Sequence, residues 1–178
     1  MGRVLSNAIA RAGLSELKAR VLSGAVLTAE DVERLRAADL LLVAGLADLM
    51  RAQFRGDDVR IVPKSRVRDA GVVLFDGTVD DAGLTGAELL REIALLRLST
   101  SGHLAVGVSY DALGLELAQT ALLFGVDLLY GELVGKRTLP LLEGPAARRE
   151  EIAGLVERSG RRPRFADEQD MALAEQHP

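Results

Sequence analysis

Lys64, Arg66 and Arg68 alternate through Pro63-Lys64-Ser65-Arg66-Val67-Arg68, directly after a β-rich stretch. Side by side, such cations can hold a carboxylate or a phosphate; a solvated basic loop is the plainer reading. Asp76 and Glu132 are candidates for a general acid and base, provided the fold brings them together and partly desolvates them. Asp76-Gly77 reads equally well as an ordinary turn. Ser109 and Tyr110 offer two hydroxyls to a small ligand, although packing is the plainer role for the tyrosine ring. Asp127 and Tyr130 stand in a β-rich run whose alternation leaves open which of them turns inward. Ser109 lacks a histidine partner, since His103 precedes the same run at its opposite end, and this disfavours a Ser-His hydrolase. The residues thus supply a possible binding mouth, with Lys64, Arg66, Asp76, Ser109, Tyr110, Tyr130 and Glu132 as its candidates and none assigned a catalytic role.

Composition narrows the chemistry further. The chain has no Cys, which excludes disulfides, thiolate zinc sites, cysteine nucleophiles and cysteine-ligated clusters together. With only His103 and His177, a multi-histidine metal site in one copy is disfavoured, and no metal or cofactor is expected. A net charge of −4 gives no global attraction to nucleic acid or anionic lipid, and with 3% aromatics and no Trp a base-stacking platform is lacking. Arg148, Arg149, Arg158, Arg161, Arg162 and Arg164 are interleaved with Glu150, Glu151 and Glu157, which reads as a solvated helix face. No phosphate-binding glycine loop of Walker or Rossmann spacing is present. Arg3, Asn7 and Arg11 interrupt any secretory signal, and the longest apolar run, Leu40 to Ala47, is far too short for a membrane span. A cytoplasmic protein is therefore expected.

The elements that must position these residues are legible from spacing. Leu5 to Leu22 has a loosely helical apolar pattern that Gly13 divides and Gly24 ends. Thr28 with Asp31 is a capping box, and Asp39 can cap a helix carrying Leu42, Val43, Leu46, Leu49, Met50 and Phe54, with Asp48, Arg51 and Arg55 as its solvated rim and Gly56 as its stop. Val59 to Val62 reads as a strand. Val72 to Phe75 is a continuous apolar run, as expected of a strand buried on both faces. Thr85 with Glu88 caps a further helix, whose apolar stripe through Leu98 is relieved by Arg91, Glu92 and Arg97. Leu104 to Val108 is a third strand, 113 to 124 a helix, Val126 to Tyr130 a fourth strand and 146 to 158 a last helix. Strands and helices alternating at this pitch predict parallel βαβ units. One α/β domain over 1–165 is expected, made of a helical segment (1–56) and a partial barrel (57–165), with a flexible tail at 166–178 and the basic residues after Gly160 partly unfolded.

Val21-Leu22-Ser23-Gly24 through Leu27-Thr28, then Asp31, Ala38-Asp39-Leu40-Leu41 and Leu46-Ala47-Asp48, resembles the leading helical segment of the futalosine-pathway radical-SAM enzymes. These are the aminofutalosine and cyclic dehypoxanthinyl futalosine synthases of menaquinone biosynthesis. The resemblance resumes at Val72 to Gly77, Leu89 to Leu98, Leu117-Ala118-Gln119, Phe124-Gly125, Val126 to Gly131 and Glu150 to Arg164. It implies the first strand and last three strands of a barrel of (β/α) type, with the middle strands missing. In that family the loop after the first strand carries three cysteines that hold the cluster cleaving S-adenosylmethionine; here it reads Pro-Lys-Ser-Arg-Val-Arg-Asp-Ala.

On this reading the chain is a non-catalytic, degenerate radical-SAM-like protein, a binding or partner subunit tied to menaquinone biosynthesis. The alternatives are a non-radical enzyme acting on a small metabolite at the strand-end mouth, or a structural domain. Half a barrel leaves strand edges and an inner face to cover. The helical segment packed over that face, a homodimer, or a protein partner completing the barrel are the three remedies.

Overall fold

A computed structural model describes residues 2–25, 27–67, 71–75, 77, 83–134 and 147–166. The fold is α/β: leading helices are followed by a five-stranded, all-parallel sheet, consistent with a partial barrel. Helices α1 (Gly2–Arg11) and α2 (Ser15–Ser23) part at Gly13, and the left-handed Gly24 closes α2. Thr28 opens α3 (Ala29–Arg36) with a full capping box to Asp31, and the Asp39 carboxylate caps α4 (Leu40–Arg55) through the N–H groups of Leu41 and Leu42. Strand β1 (Asp58–Pro63) and a short 3-10 turn (Lys64–Arg66) follow, then β2 (Val72–Phe75). Thr85 and Glu88 box the start of α5 (Gly86–Ser99), which leads to β3 (Ala105–Ser109). The helix expected over 113–124 is divided at Gly114 into α6 (Tyr110–Leu113) and α7 (Leu115–Ala121), before β4 (Leu128–Gly131).

Two short strands, β5 (Leu133–Val134) and β6 (Ala147–Arg148), pair with each other ahead of α8 (Arg149–Arg158). The residues after Gly160, expected to be partly unfolded, instead form β7 (Arg162–Phe165) against β1. Residues 167–178 of the expected flexible tail lie outside the described residues.

The strand order is β2-β3-β4-β1-β7. The first strand lies beside β4, as neighbours in a barrel must, and β7 takes its other side. Val59, Ile61, Val106, Val108 and Leu129 share one core with residues of all the labelled helices. The leading helices therefore join the helical layer, and the first of the three remedies, in which they cover the opposite face, is not the one taken. That opposite face carries Val62, Ala105, Leu128 and Tyr130, with Val72 and Leu74 beside them. Val67, from the connection between β1 and β2, packs onto it. The described part of that connection, as far as Val67, thus lies on the face away from the described helices. β2 lies at the edge of the sheet and is partly exposed along its length, so the expectation of burial on both faces is also corrected.

Candidate functional site at the strand ends

The route of the chain selects one place in this sheet. The chain leaves β1 for β2 on one side of the sheet and β4 for β7 on the other, so these two neighbouring strands are followed in opposite directions along it. Adjacent strands whose connections leave in opposite directions open a crevice at their carboxyl ends, the usual ligand position in open α/β sheets. Lys64 follows β1, Tyr110 and Asp111 follow β3, and Glu132 follows β4.

These residues converge. The main-chain N–H of Glu132 donates to Asp111 Oδ2 at 2.9 Å, tying the ends of β3 and β4 together. Asp111 Oδ1 is sealed from solvent without a hydrogen-bond partner among the described residues, and so is the hydroxyl of Tyr110, a residue only 1% exposed. Such orphaned polar atoms are costly and need an explanation. Burial pushes the Asp111 carboxyl above its ordinary pKa; the Glu132 N–H and the nearby Lys64 ammonium oppose that rise, and the Glu132 charge adds to it. Burial, with the Asp111 and Glu132 charges adding, also raises the Tyr110 phenol, which stays a protonated donor at neutral pH. The Tyr110 ring lies against the backbone of Gly131, where an added Cβ would come within 2.3 Å of it. That close approach requires glycine. The mouth therefore combines the exposed Lys64 ammonium and Glu132 carboxylate with a phenolic hydroxyl and a carboxyl oxygen that are sealed and have no hydrogen-bond partner among the described residues.

The other expected site residues fall elsewhere in role. The Ser109 hydroxyl accepts the N–H of Ala112 and caps α6, so it holds the turn that carries Tyr110 and Asp111. Tyr130 packs on the face away from the described helices, with Val62 and Leu128. Arg66 lies in the turn after β1, half-buried and engaged. Asp76, and with it the expected pairing to Glu132, lies outside the described residues, as does Arg68. Asp111 was not among the residues named from sequence; its place two residues past the end of β3 was the available signal. Among the described residues, no three of His, Cys, Asp and Glu group to hold a metal ion. The turn after β1 supplies Lys64, Ser65 and Arg66 and no thiolate, so the residues there do not fit an iron–sulfur cluster.

At the opposite pole lies a buried charge network that residue type alone concealed. Asp127 accepts from Arg97 Nη2 at 2.8 Å, Arg55 Nε at 2.6 Å and the Val106 N–H at 2.8 Å. Arg97 is fully buried and also donates to the carbonyls of Gly125 and Leu104. Arg51 is buried too, bound to Asp48 and the Gly56 carbonyl, while Arg161 reaches Asp48 and Asp57. The expected solvated rim of α4 and the solvent-facing role of Arg97 are thereby corrected. The arginines near the C-terminal end do not form one face either: Arg161 joins this network, Arg162 and Arg164 pair with Asp58, and Arg149 stacks 4.3 Å from the Phe165 ring centroid.

Compared with protein-family models and with curated proteins, the chain matches none. Among the described residues, no helix is long and apolar enough to cross a membrane.

Proposed function

We propose that this chain is a binding subunit that holds a small polar molecule at the crevice between β1, β3 and β4, and that it carries out no radical chemistry. The observation carrying the reading is the pair of sealed, unpartnered atoms, Tyr110 Oη and Asp111 Oδ1, beside Lys64 and Glu132 at the point where the chain's connections diverge. A ligand carrying both hydrogen-bond donors and acceptors fits that set, and binding it would relieve two buried orphans. The reading extends to descent: the chain is a degenerate relative of the futalosine-pathway enzymes, acting beside menaquinone synthesis. Supporting this are the quoted sequence blocks and the neighbouring positions of β1 and β4.

Native mass spectrometry of protein taken directly from cells tests the binding role. The expected result is a stoichiometric small molecule or partner that is lost in Tyr110→Phe. Recovery of neither overturns the proposal. Brown protein that consumes S-adenosylmethionine unaided would overturn the non-radical part.

A second reading, a non-radical enzyme, is favoured by one observation. Asp111 is held toward its protonated form while Glu132 stays exposed, and two carboxyls in unlike environments can divide acid and base roles. Turnover of the co-purified molecule, lost in Asp111→Asn with binding retained, would select it.

A further inference from the structure

The strand order fixes how the polar groups of the mouth are laid out. β4 lies between β3 and β1, so the carboxyl ends of β1 and β3 stand two strand spacings, about 10 Å, apart. Lys64 follows β1 on one side, and Asp111 follows β3 on the other. Glu132 follows the middle strand, and its main-chain N–H holds Asp111 Oδ2. The Tyr110 ring starts from the β3 side but lies against Gly131, the last residue of β4. Its Cζ, which bears the hydroxyl, stands 2.5 Å from where a Cβ on Gly131 would be, so the phenol ends over the middle strand.

We propose that the molecule held here is a compact α-amino acid, whose carboxylate accepts from Lys64 and Tyr110 Oη and whose ammonium group donates to Asp111 Oδ1 and Glu132. The inference rests on the binding role given above and specifies its ligand. The layout selects the class. Lys64 and the phenol, a protonated donor at neutral pH, make a pole for an anion. Asp111 and Glu132 make a pole for a cation. A ligand with a carboxylate alone would bring a third negative group to the two acids. One with an amine alone would leave the Tyr110 hydroxyl without an acceptor, and a neutral polyol would make no use of the separated charges. The Lys64 ammonium is near enough to act on the Asp111 carboxyl, so the space between the poles suits a small molecule. Tyr110 Oη and Asp111 Oδ1 are sealed, and entry requires the rim to part. Lys64 and Glu132 are exposed, and exposed side chains change rotamer within nanoseconds.

Binding has a proton signature. In the free chain burial favours the protonated Asp111 carboxyl, with Glu132 adding to that and Lys64 opposing it. An ammonium group placed on Oδ1 favours the carboxylate, so the amino acid should displace up to about one proton as it binds. A neutral or anionic ligand displaces none.

The test is a thermal-shift screen of the full chain with the free α-amino acids, each beside its decarboxylated amine and its deaminated acid. At least one amino acid should stabilise the chain where neither single-charge counterpart does. Lys64→Gln and Tyr110→Phe should each weaken that amino acid about tenfold or more, with the far-UV spectrum retained. Calorimetry in two buffers of unlike ionisation enthalpy should then report proton release below the Asp111 pKa found by NMR, fading as pH passes above it. Stabilisation by no amino acid, equal stabilisation by the amine or the acid, or binding without proton release overturns the proposal. A molecule carried from cells that lacks either charged group also overturns it, while leaving the binding role itself standing.

Discussion

Asp127→Ala should be among the most damaging single substitutions in this protein. The carboxylate is buried, 2% exposed, and neutralises an Arg97 side chain that has no solvent access. Its removal strands the Arg97 charge, leaves Arg55 with only the His103 carbonyl among its described partners and orphans the Val106 N–H at the start of β3. Breaking a buried pair by deleting one partner costs about 3–5 kcal/mol, a large share of the ~5–15 kcal/mol by which a domain is stable. At about 2–4 °C per kcal/mol for a chain of this size, the melting temperature should fall by about 6–20 °C, read by circular dichroism in a thermal scan. Asp127→Asn, which keeps an acceptor for Val106, should cost less. Arg97→Met leaves Asp127 with Arg55 and Val106 but strips the bonds to Gly125 and Leu104. The double variant Asp127→Ala/Arg97→Met should therefore be more stable than the summed losses by more than ~1 kcal/mol, because no charge is left stranded. Strict additivity, or a cost below ~1 kcal/mol for Asp127→Ala, would refute this account of the network.

Tyr110→Phe should leave stability unchanged or raise it by up to ~1 kcal/mol, since it deletes a sealed hydroxyl without a partner; a loss above ~1 kcal/mol in urea denaturation would mean the hydroxyl is engaged. Gly131→Ala should cost about 1–3 kcal/mol by the same assay, because its Cβ would strike the Tyr110 ring. Burial raises the Asp111 pKa, so its ionisation opposes folding: the group's stabilising contribution is present below the unfolded carboxylate pKa and is lost as pH rises through the folded value. Asp111→Asn should accordingly gain stability relative to wild type as pH rises through that range while losing the bound molecule, and a pH-independent difference would contradict this. Asp31 and Glu88 are held low, each first by a main-chain N–H at its capping box, so their contribution is present above the ordinary carboxylate pKa and lost as pH falls through the depressed value. Asp31→Asn and Glu88→Gln, which remove the titrating groups, should flatten that acid limb of the stability profile.

Local signals in the sequence carried much of the fold. The capping boxes at Thr28 and Thr85, the Asp39 cap and the stops at Gly13, Gly24 and Gly56 are contacts within a few residues, and short-range spacing encodes them. Non-local features were not legible. Arg51, Arg55 and Arg97 sit at helix positions that look solvated because an arginine is buried only when a distant partner meets it, and Asp127 follows Arg55 by 72 residues. β7 was obscured by proline and arginine, which disfavour a central strand but suit an edge. β2 misled in the opposite sense, its continuous apolar run implying two covered faces where the sheet has an edge. The mouth was partly visible, since Lys64, Tyr110 and Glu132 follow strand ends, but the sealed oxygen of Asp111 is a product of packing.

The position of β1 also bears on how the chain is made. Among the labelled strands it is the first to be made, yet its neighbours are β4 and β7. Until β4 has left the ribosome, both sides of β1 lack a mate, and until β7 follows, one side still does. Contacts of such wide sequence separation close slowly, and the nascent chain carries an unmatched hydrophobic strand for most of its translation. A break in the message ahead of β7 would therefore release chains inclined to clump, with the labelled helices complete and the sheet unfinished.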